Sequence, residues 1–247
     1  MTPSILESAT HRPYPPPAGP WVMFQSWREL LFAHWPVPPA ALRACVPPEL
    51  ELDVFDGSCW IGQTPFRLTG LRPRFLPPAP AISSFPEMNL RTYVRVGGKP
   101  GIFFFSLDAG SRLAVAAARL TFRLPYFHAD MRIDREHEWI HYRSRRKDGP
   151  KLAEFRATYR PVGEIGEACK GSLEYFLVER YALYTVLRNG TVLTGEIHHQ
   201  PWPLQAAEAG IEVNTVPAAH HLPVSGPPAL LHYSARQDTL IWPPKLA

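Results

Sequence analysis

Cysteine is scarce and scattered in this sequence. Cys45, Cys59 and Cys169 are the three cysteines among 247 residues, and no Cys-x-x-Cys pair occurs. An odd, dispersed set argues against a disulfide framework and is typical of proteins kept in a reducing compartment. We therefore predict a cytoplasmic protein without structural disulfides.

The common catalytic and nucleotide-binding motifs are also absent. The chain has no Walker A loop, no GxGxxG after a strand, no GxSxG and no HExxH, so it lacks the usual signatures of NTPases, dinucleotide enzymes, serine hydrolases and zinc proteases. Charged residues interrupt every apolar stretch well before the 18 residues that a transmembrane helix needs. We expect no cofactor and no membrane partner.

Proline, by contrast, is abundant, with 29 residues. Most prolines lie between apolar runs, where they suit turns and strand edges. Residues 1–20 are proline-rich, with neither a basic start nor an apolar run, so they predict a flexible leader rather than a signal peptide. Residues 21–247 contain no linker and predict a single domain.

The formal net charge is only +4. The densest basic run, Arg143–Lys147, precedes Asp148-Gly149-Pro150 and predicts a solvated hairpin tip. No nucleic-acid-binding motif accompanies this run, so we expect no nucleic-acid partner.

Strand patterns dominate the chain. Predicted strands are Trp27–Val37, Leu90–Val96, Ile102–Leu107, Met131–Arg143, Phe155–Arg160 and Thr191–His198. Predicted short helices are Pro39–Val46, Ser111–Leu120, Ser172–Tyr181 and Leu204–Ala209, and a closing hairpin is predicted from Leu230–Ser234 and Thr239–Trp242. This order indicates a mainly β (α+β) fold in which one antiparallel sheet closes, or nearly closes, on itself.

The segment from Phe85 to Tyr93 holds the strongest candidate site. The period of two in a strand places Glu87, Asn89, Arg91 and Tyr93 on one face. Two explanations remain open: a solvent-exposed face, or the polar interior of a barrel that binds a small molecule. Buried acid and arginine pairs with a nearby tyrosine are found at functional sites.

The histidines do not predict a metal site. His198-His199 and His220-His221 are adjacent pairs, and neighbours on a strand point to opposite faces. His34 is a candidate general base or ligand-binding residue, although a structural role is favoured. Arg180 is assigned a packing role more readily than a pocket role. Trp35, Trp202 and Trp242 would indicate an interaction scaffold if they were exposed together.

Several segments together resemble a known family. They are Ala33–Pro38, Phe55–Gly57, Pro86–Val94, Phe105–Ala109, Leu124–Tyr126, Glu179–Tyr181 and His199–Leu204. They look like the YqjF-like family (domain of unknown function 2071) over residues 22–244, and that family is similar to the acetoacetate decarboxylase-like superfamily. The resemblance implies a closed, cone-like antiparallel β-barrel with a few short outer helices and a ligand cavity inside.

The resemblance departs from true acetoacetate decarboxylases at one decisive position. In those enzymes a lysine in a Gly-Phe-Pro-Lys-like motif forms a Schiff base with the keto acid. The equivalent stretch here is Arg123-Leu124-Pro125-Tyr126, and no lysine lies between Lys99 and Lys147. Tyrosine cannot form an imine, so decarboxylation by that route is not expected.

Two hypotheses of function follow. In the first, an enzyme acts by acid–base chemistry on a small oxygenated or aromatic compound, with Glu87 as the acid or base, Arg91 as the clamp for a carboxylate or enolate, and Tyr126 as a donor. Ligand-binding roles are expected for Arg28, His34, Asn89 and Tyr93. In the second, the protein binds or sequesters a small organic molecule without catalysis. Self-association into a homo-oligomer is left open.

Overall fold

The computed structural model describes residues 4–79, 82–149 and 151–247. The strands are β1 (Met23–Val37), β2 (Glu51–Leu52), β3 (Cys59–Pro73), β4 (Phe85–Val96), β5 (Lys99–Ala109), β6 (Tyr126–Glu136), β7 (Trp139–Arg146), β8 (Glu154–Gly166), β9 (Ala182–Val186), β10 (Val192–His198), β11 (Leu204–Asn214), β12 (Leu230–Ile241) and β13 (Lys245–Leu246). The helices are α1 (Pro39–Arg43), α2 (Arg112–Thr121), α3 (Leu173–Val178) and α4 (Val216–Ala219), and a 3-10 turn spans Ser4–Leu6.

Serine caps begin two of the helices. The Ser111 hydroxyl accepts the Ala114 amide at 3.3 Å at the start of α2, and the Ser172 hydroxyl accepts the Tyr175 amide at 3.2 Å at the start of α3. Each cap satisfies a backbone donor that has no partner within the helix. The predicted positions of α1, α2 and α3 are confirmed, although α1 and α3 are shorter than expected.

Two predictions near the C-terminus are wrong. Residues Leu204–Ala209 are not a helix but belong to β11, which pairs with β8. The predicted closing hairpin is the single strand β12, which pairs with β1 from Met23↔Ile241 to His34↔Leu230. Helix propensity is a weak preference that tertiary pairing overrides, and a long partner strand keeps β12 extended.

The sheet closes through two hydrogen-bonded rings that share five strands. One ring runs β4-β5-β6-β7-β8-β11-β12-β1-β3, and the other runs β4-β5-β9-β10-β12-β1-β3. Pairings are antiparallel except for β5–β6 and β5–β9, which are parallel. The helix α2 crosses over between β5 and β6, as a parallel pair requires. The prediction of a mainly β, closed sheet with a few short helices is confirmed.

Strand β4 is buried on both faces because both rings share it. On one face Met88 and Leu90 pack in a hydrophobic cluster with Ile133, Tyr142 and Phe155. On the other face Glu87, Asn89, Arg91 and Tyr93 are 4%, 8%, 7% and 0% exposed. The expectation of an inward-facing polar row is therefore met, and the alternative of a solvent-exposed face is wrong.

The described part of the leader lies against β10. Arg12 is 7% exposed, and its guanidinium donates to the Ile197 carbonyl at 2.7 Å and lies 4.4 Å from the Tyr181 ring centroid. The His198 Nε2 donates to the Ile5 carbonyl at 2.6 Å. These contacts join the described part of the leader to β10 and to Tyr181.

The basic run is only partly a solvated tip. Arg143 and Arg145 are exposed at the end of β7, whereas Arg146 is 2% exposed and forms an ion pair with buried Asp108 at 2.8 Å. The alternation of the strand turns Arg146 inward. Among the described residues, none of the helices has the length and apolar character needed to cross a bilayer.

Candidate functional site

A cavity of about 190 Å³ lies inside the second ring and beneath α2. Its lining comes from strands of that ring and is mostly apolar, including Phe66, Leu68, Phe85, Ile102, Phe104, Leu107 and Trp202. The inner face of α2 contributes Ala114, Ala117 and Ala118. These small side chains leave room for a ligand between the helix and the sheet.

Glu87 is the buried acid of the cavity. The Tyr126 hydroxyl donates to Glu87 Oε1 at 3.2 Å, and the Tyr142 hydroxyl donates to the Glu87 backbone carbonyl at 2.8 Å. Burial raises the pKa of Glu87 from 4.5 to about 8, although the hydrogen bond from Tyr126 acts in the opposite direction. The carboxyl group is therefore mostly protonated at neutral pH and is poised to donate or accept a proton.

Asn89 lies one step further along the same face. The Thr64 hydroxyl donates to Asn89 Oδ1, and both residues line the cavity. This bond fixes the orientation of the amide, so that its nitrogen remains available as a donor to a bound molecule.

Arg91 carries a positive charge that no described carboxylate neutralises. Its guanidinium donates to the Leu177 carbonyl at 3.4 Å and lies 5.4 Å from the Phe32 ring centroid, and its Nε has no partner among the described residues. Arg180 also lines the cavity, but it donates to buried Asp53 at 2.6 Å. An unpaired buried charge is energetically unfavourable, so Arg91 presents an uncompensated positive charge to the cavity.

His34 and Tyr93 lie behind the cavity instead of lining it. Their Nε2 and hydroxyl groups are 2.8 Å apart, and both approach Gly62, where an added Cβ would lie 3.1 Å from His34 and 3.2 Å from the Tyr93 hydroxyl. Burial lowers the pKa of His34 well below 6.5, so the ring is neutral. The Tyr93 ring lies 5.8 Å from the Arg91 guanidinium. These two residues support the arginine and do not contact the cavity.

Arg28 lies outside the cavity, contrary to the expectation of a ligand-binding role. Its Nε donates to the Thr69 hydroxyl at 3.2 Å. Its neighbour Trp27 lines the cavity, and strand alternation turns the next side chain away. Of Arg28 and Arg91, only Arg91 lines the cavity.

Sequence reasoning missed several residues that line the cavity. They are Trp27, Arg180, His199 and Trp202. Arg180, His199 and Trp202 follow α3 and β10 in irregular segments, where no periodicity indicates a direction. Trp35, Trp202 and Trp242 are 4%, 3% and 5% exposed, so the condition for an interaction scaffold is not met.

The remaining chemistry of the cavity is limited. No group of three or more His, Cys, Asp or Glu side chains within the described residues is arranged to hold a metal ion. Among the described residues that line the cavity, none is a lysine. Lys99, the last lysine before Tyr126 in the sequence, forms an ion pair with Glu196 at 2.7 Å. The polar groups described in the lining include carboxyl, amide, phenol and guanidinium groups, together with the Thr64 hydroxyl and the His199 imidazole.

Known proteins are similar to this chain in sequence and in fold. The uncharacterized protein YqjF of Bacillus subtilis (strain 168) is 53% identical over 227 residues, which cover 92% of this chain and 93% of that protein. An acetoacetate decarboxylase-like enzyme from Sphingomonas wittichii RW1 superposes with a TM-score of 0.64 at 16% identity, covering 97% of this chain and 98% of its own. The enduracididine biosynthesis enzyme MppR complexed with pyruvate superposes with a TM-score of 0.63 at 11% identity, covering 96% and 93%.

The solved structures are similar in fold alone, because their sequence identities are low. The match to the family is more specific. Residues 24–238 match DUF2071, which is described as an uncharacterized conserved protein. The chain therefore belongs to the DUF2071 family.

Proposed function

We propose that the cavity binds a small organic carboxylate and that Glu87 acts on it as a general base or acid. The observation that carries the proposal is the presence in one cavity of an un-neutralised arginine, Arg91, and a buried carboxyl group, Glu87. A carboxylate ligand supplies the anion that Arg91 lacks, through charge-assisted hydrogen bonds.

The chemistry of Glu87 follows from its raised pKa of about 8. In its ionised form it removes a proton from a carbon next to a carbonyl group, which generates an enolate, and it returns a proton from solvent to that carbon. The Tyr126 hydroxyl and the Asn89 amide are the donors available to the enolate oxygen. An acid whose pKa lies near the working pH is suited to such transfers.

Imine chemistry is not part of the proposal. Tyr126 stands where the decarboxylases carry a lysine in the sequence resemblance, and a phenol cannot condense with a keto group. The pyruvate and decarboxylase names belong to proteins of similar fold, and only the carboxylate character of such ligands supports the proposal for this chain.

The first test is binding. Isothermal titration with benzoate and with its neutral amide, benzamide, separates the contribution of the carboxylate charge. We expect benzoate to bind, benzamide to bind at least about tenfold more weakly, and Arg91→Met to abolish the difference. Equal binding of both compounds, or no binding of benzoate at millimolar concentration, would contradict the proposal.

The second test distinguishes an enzyme from a binding protein. Proton NMR in D2O follows the exchange of the protons next to the keto group of 4-oxopentanoate. We expect exchange above the rate in buffer, rising as the pH passes about 8 because the ionised carboxylate is the base, and lost in Glu87→Gln. Binding without exchange would favour the alternative, a protein that sequesters its ligand.

A further inference from the structure

Glu87 and Arg91 define a fixed distance along one wall of the cavity. They lie four residues apart on β4 and share a face, and the pairing of β4 with β3 is regular from Glu87↔Phe66 to Arg91↔Gly62. A strand rises about 3.3 Å per residue, so their Cα atoms are about 13 Å apart. Both side chains project roughly perpendicular to the sheet, so their polar groups lie at opposite ends of the same wall.

This distance restricts the ligand. With both side chains perpendicular to the strand, the carboxyl and guanidinium groups are separated by about the same 13 Å as the Cα atoms. A molecule that forms a hydrogen bond of about 2.8 Å with each group then has about 7 Å between its two oxygen atoms. Oxygens on adjacent carbons are too close together for this span. A carboxylate oxygen and a hydroxyl oxygen on para positions of a benzene ring come close to this span.

The walls between the two polar groups favour a flat apolar centre. Phe66, Phe104 and Leu107 line this part of the cavity, and Trp27 stacks on Trp202 with ring centroids 5.9 Å apart. Aromatic side chains of this kind pack against planar rings. The volume of about 190 Å³ is below the 300–1,000 Å³ of pockets for drug-sized ligands, so it suits one ring.

We infer that the cavity selects a single-ring aromatic acid whose second oxygen lies para to the carboxylate, with the carboxylate on Arg91 and the second oxygen on Glu87. This inference rests on the carboxylate site proposed above and adds the spacing and shape of the substrate.

The test compares 4-hydroxybenzoate, 2-hydroxybenzoate and benzoate by isothermal titration with the full chain at pH 7. All three carry the carboxylate and the ring, and only the first places an oxygen at the required distance. We expect 4-hydroxybenzoate to bind about tenfold more tightly than the other two, as one added buried hydrogen bond of about 1.4 kcal/mol provides.

Variants then test which protein residue binds each end of the ligand. Glu87→Leu should remove the preference for the para isomer, and Arg91→Met should weaken binding of all three acids. The matched change at an exposed position, Glu49→Leu, should leave the preference intact. If Glu87→Leu does not fold, the isomer comparison on the wild-type chain decides the question without it.

The possible failures are distinguishable. Equal affinity for the para and ortho isomers, with benzoate still bound, would overturn the inferred spacing and leave the carboxylate site in place. Failure of all three acids to bind at millimolar concentration would overturn the spacing and the proposed function together.

Discussion

The Tyr126 hydroxyl and the Glu87 carboxyl group meet at 3.2 Å although 39 positions separate them in the chain. Two strand pairings produce this contact. Glu87 pairs with Ala109 across β4 and β5, and Tyr126 pairs with Leu107 across the parallel β5 and β6. The strand β5 therefore holds both residues at one end of the cavity.

Replacement of this phenol should make Glu87 a weaker acid. The hydrogen bond from Tyr126 lowers the pKa of Glu87 and opposes burial. In Tyr126→Phe the pKa of Glu87 should therefore rise further above about 8. Infrared difference spectra of the carboxyl band across a pH series measure this, with Tyr175→Phe as the control. An unchanged or lowered pKa would show that the hydrogen bond is not made.

The pH dependence of stability should report Glu87 as well. Its folded-state pKa of about 8 exceeds the ordinary value of 4.5, so the folded state holds the proton more tightly. The stabilisation that the protonated Glu87 contributes is complete below pH 4.5. It is lost as the pH rises to about 8, at up to about 1.4 kcal/mol per pH unit. The Glu87→Gln variant has no titrating group at this position, so its stability does not show this pH-dependent loss. In urea unfolding between pH 5 and 8, the free energy of unfolding of wild type should fall relative to the variant, and a constant difference would contradict the assignment.

Asp53 should be essential to the wall of the cavity. It ion-pairs at 2.6 Å with Arg180, whose side chain is 4% exposed, and at 2.6 Å with Arg95, whose side chain is 43% exposed. Asp53→Asn leaves Arg180 buried without an anion, which should cost about 3–5 kcal/mol of stability. Arg95→Met removes only the solvent-screened pair and should cost about 0–1 kcal/mol. Comparable losses for both variants in thermal unfolding would refute the role of burial.

Arg12 should hold the leader in place. Its guanidinium donates to the Ile197 carbonyl and stacks on Tyr181, and hydrogen bonds to a charged donor are worth about 1.5–3 kcal/mol. In Arg12→Ala, amide hydrogen exchange over residues 5–14 should accelerate at least tenfold, whereas the exposed-residue control Arg112→Ala should not change it. Equal protection in both variants would mean that other contacts hold the segment.

No keto-acid adduct should form. The cavity is lined by Tyr126 and by no lysine among the described residues, and an imine requires an amine. Treatment with acetoacetate and borohydride should leave the mass of the intact protein unchanged, while an acetoacetate decarboxylase that carries the lysine serves as the positive control. A stable mass increase on this chain would disprove the prediction.

Local sequence patterns predicted the features that depend on residues a few positions apart, namely which side chains share a strand face and where helices begin. The period of two in β4 grouped Glu87, Asn89, Arg91 and Tyr93, since alternation follows from strand geometry alone. Ser111 and Ser172 marked the starts of two helices because capping depends on residues three positions away. The family resemblance matches Tyr126 to the Schiff-base lysine of the decarboxylases, and because a phenol cannot form an imine, the sequence predicts no imine chemistry at this position.

Only the tertiary structure decided which groups share the cavity. Strand alternation is the same whether the face that carries Glu87 contacts solvent or a cavity. The cavity exists because β9 and β10 close against β5 and β12. The same long-range pairing brought Arg180 and His199 into the lining, left Arg28 outside, and kept the alanine-rich β11 extended against β8. A residue pattern specifies neighbours within a few positions, whereas burial, and with it the raised pKa of Glu87, depends on strands brought together from distant parts of the chain.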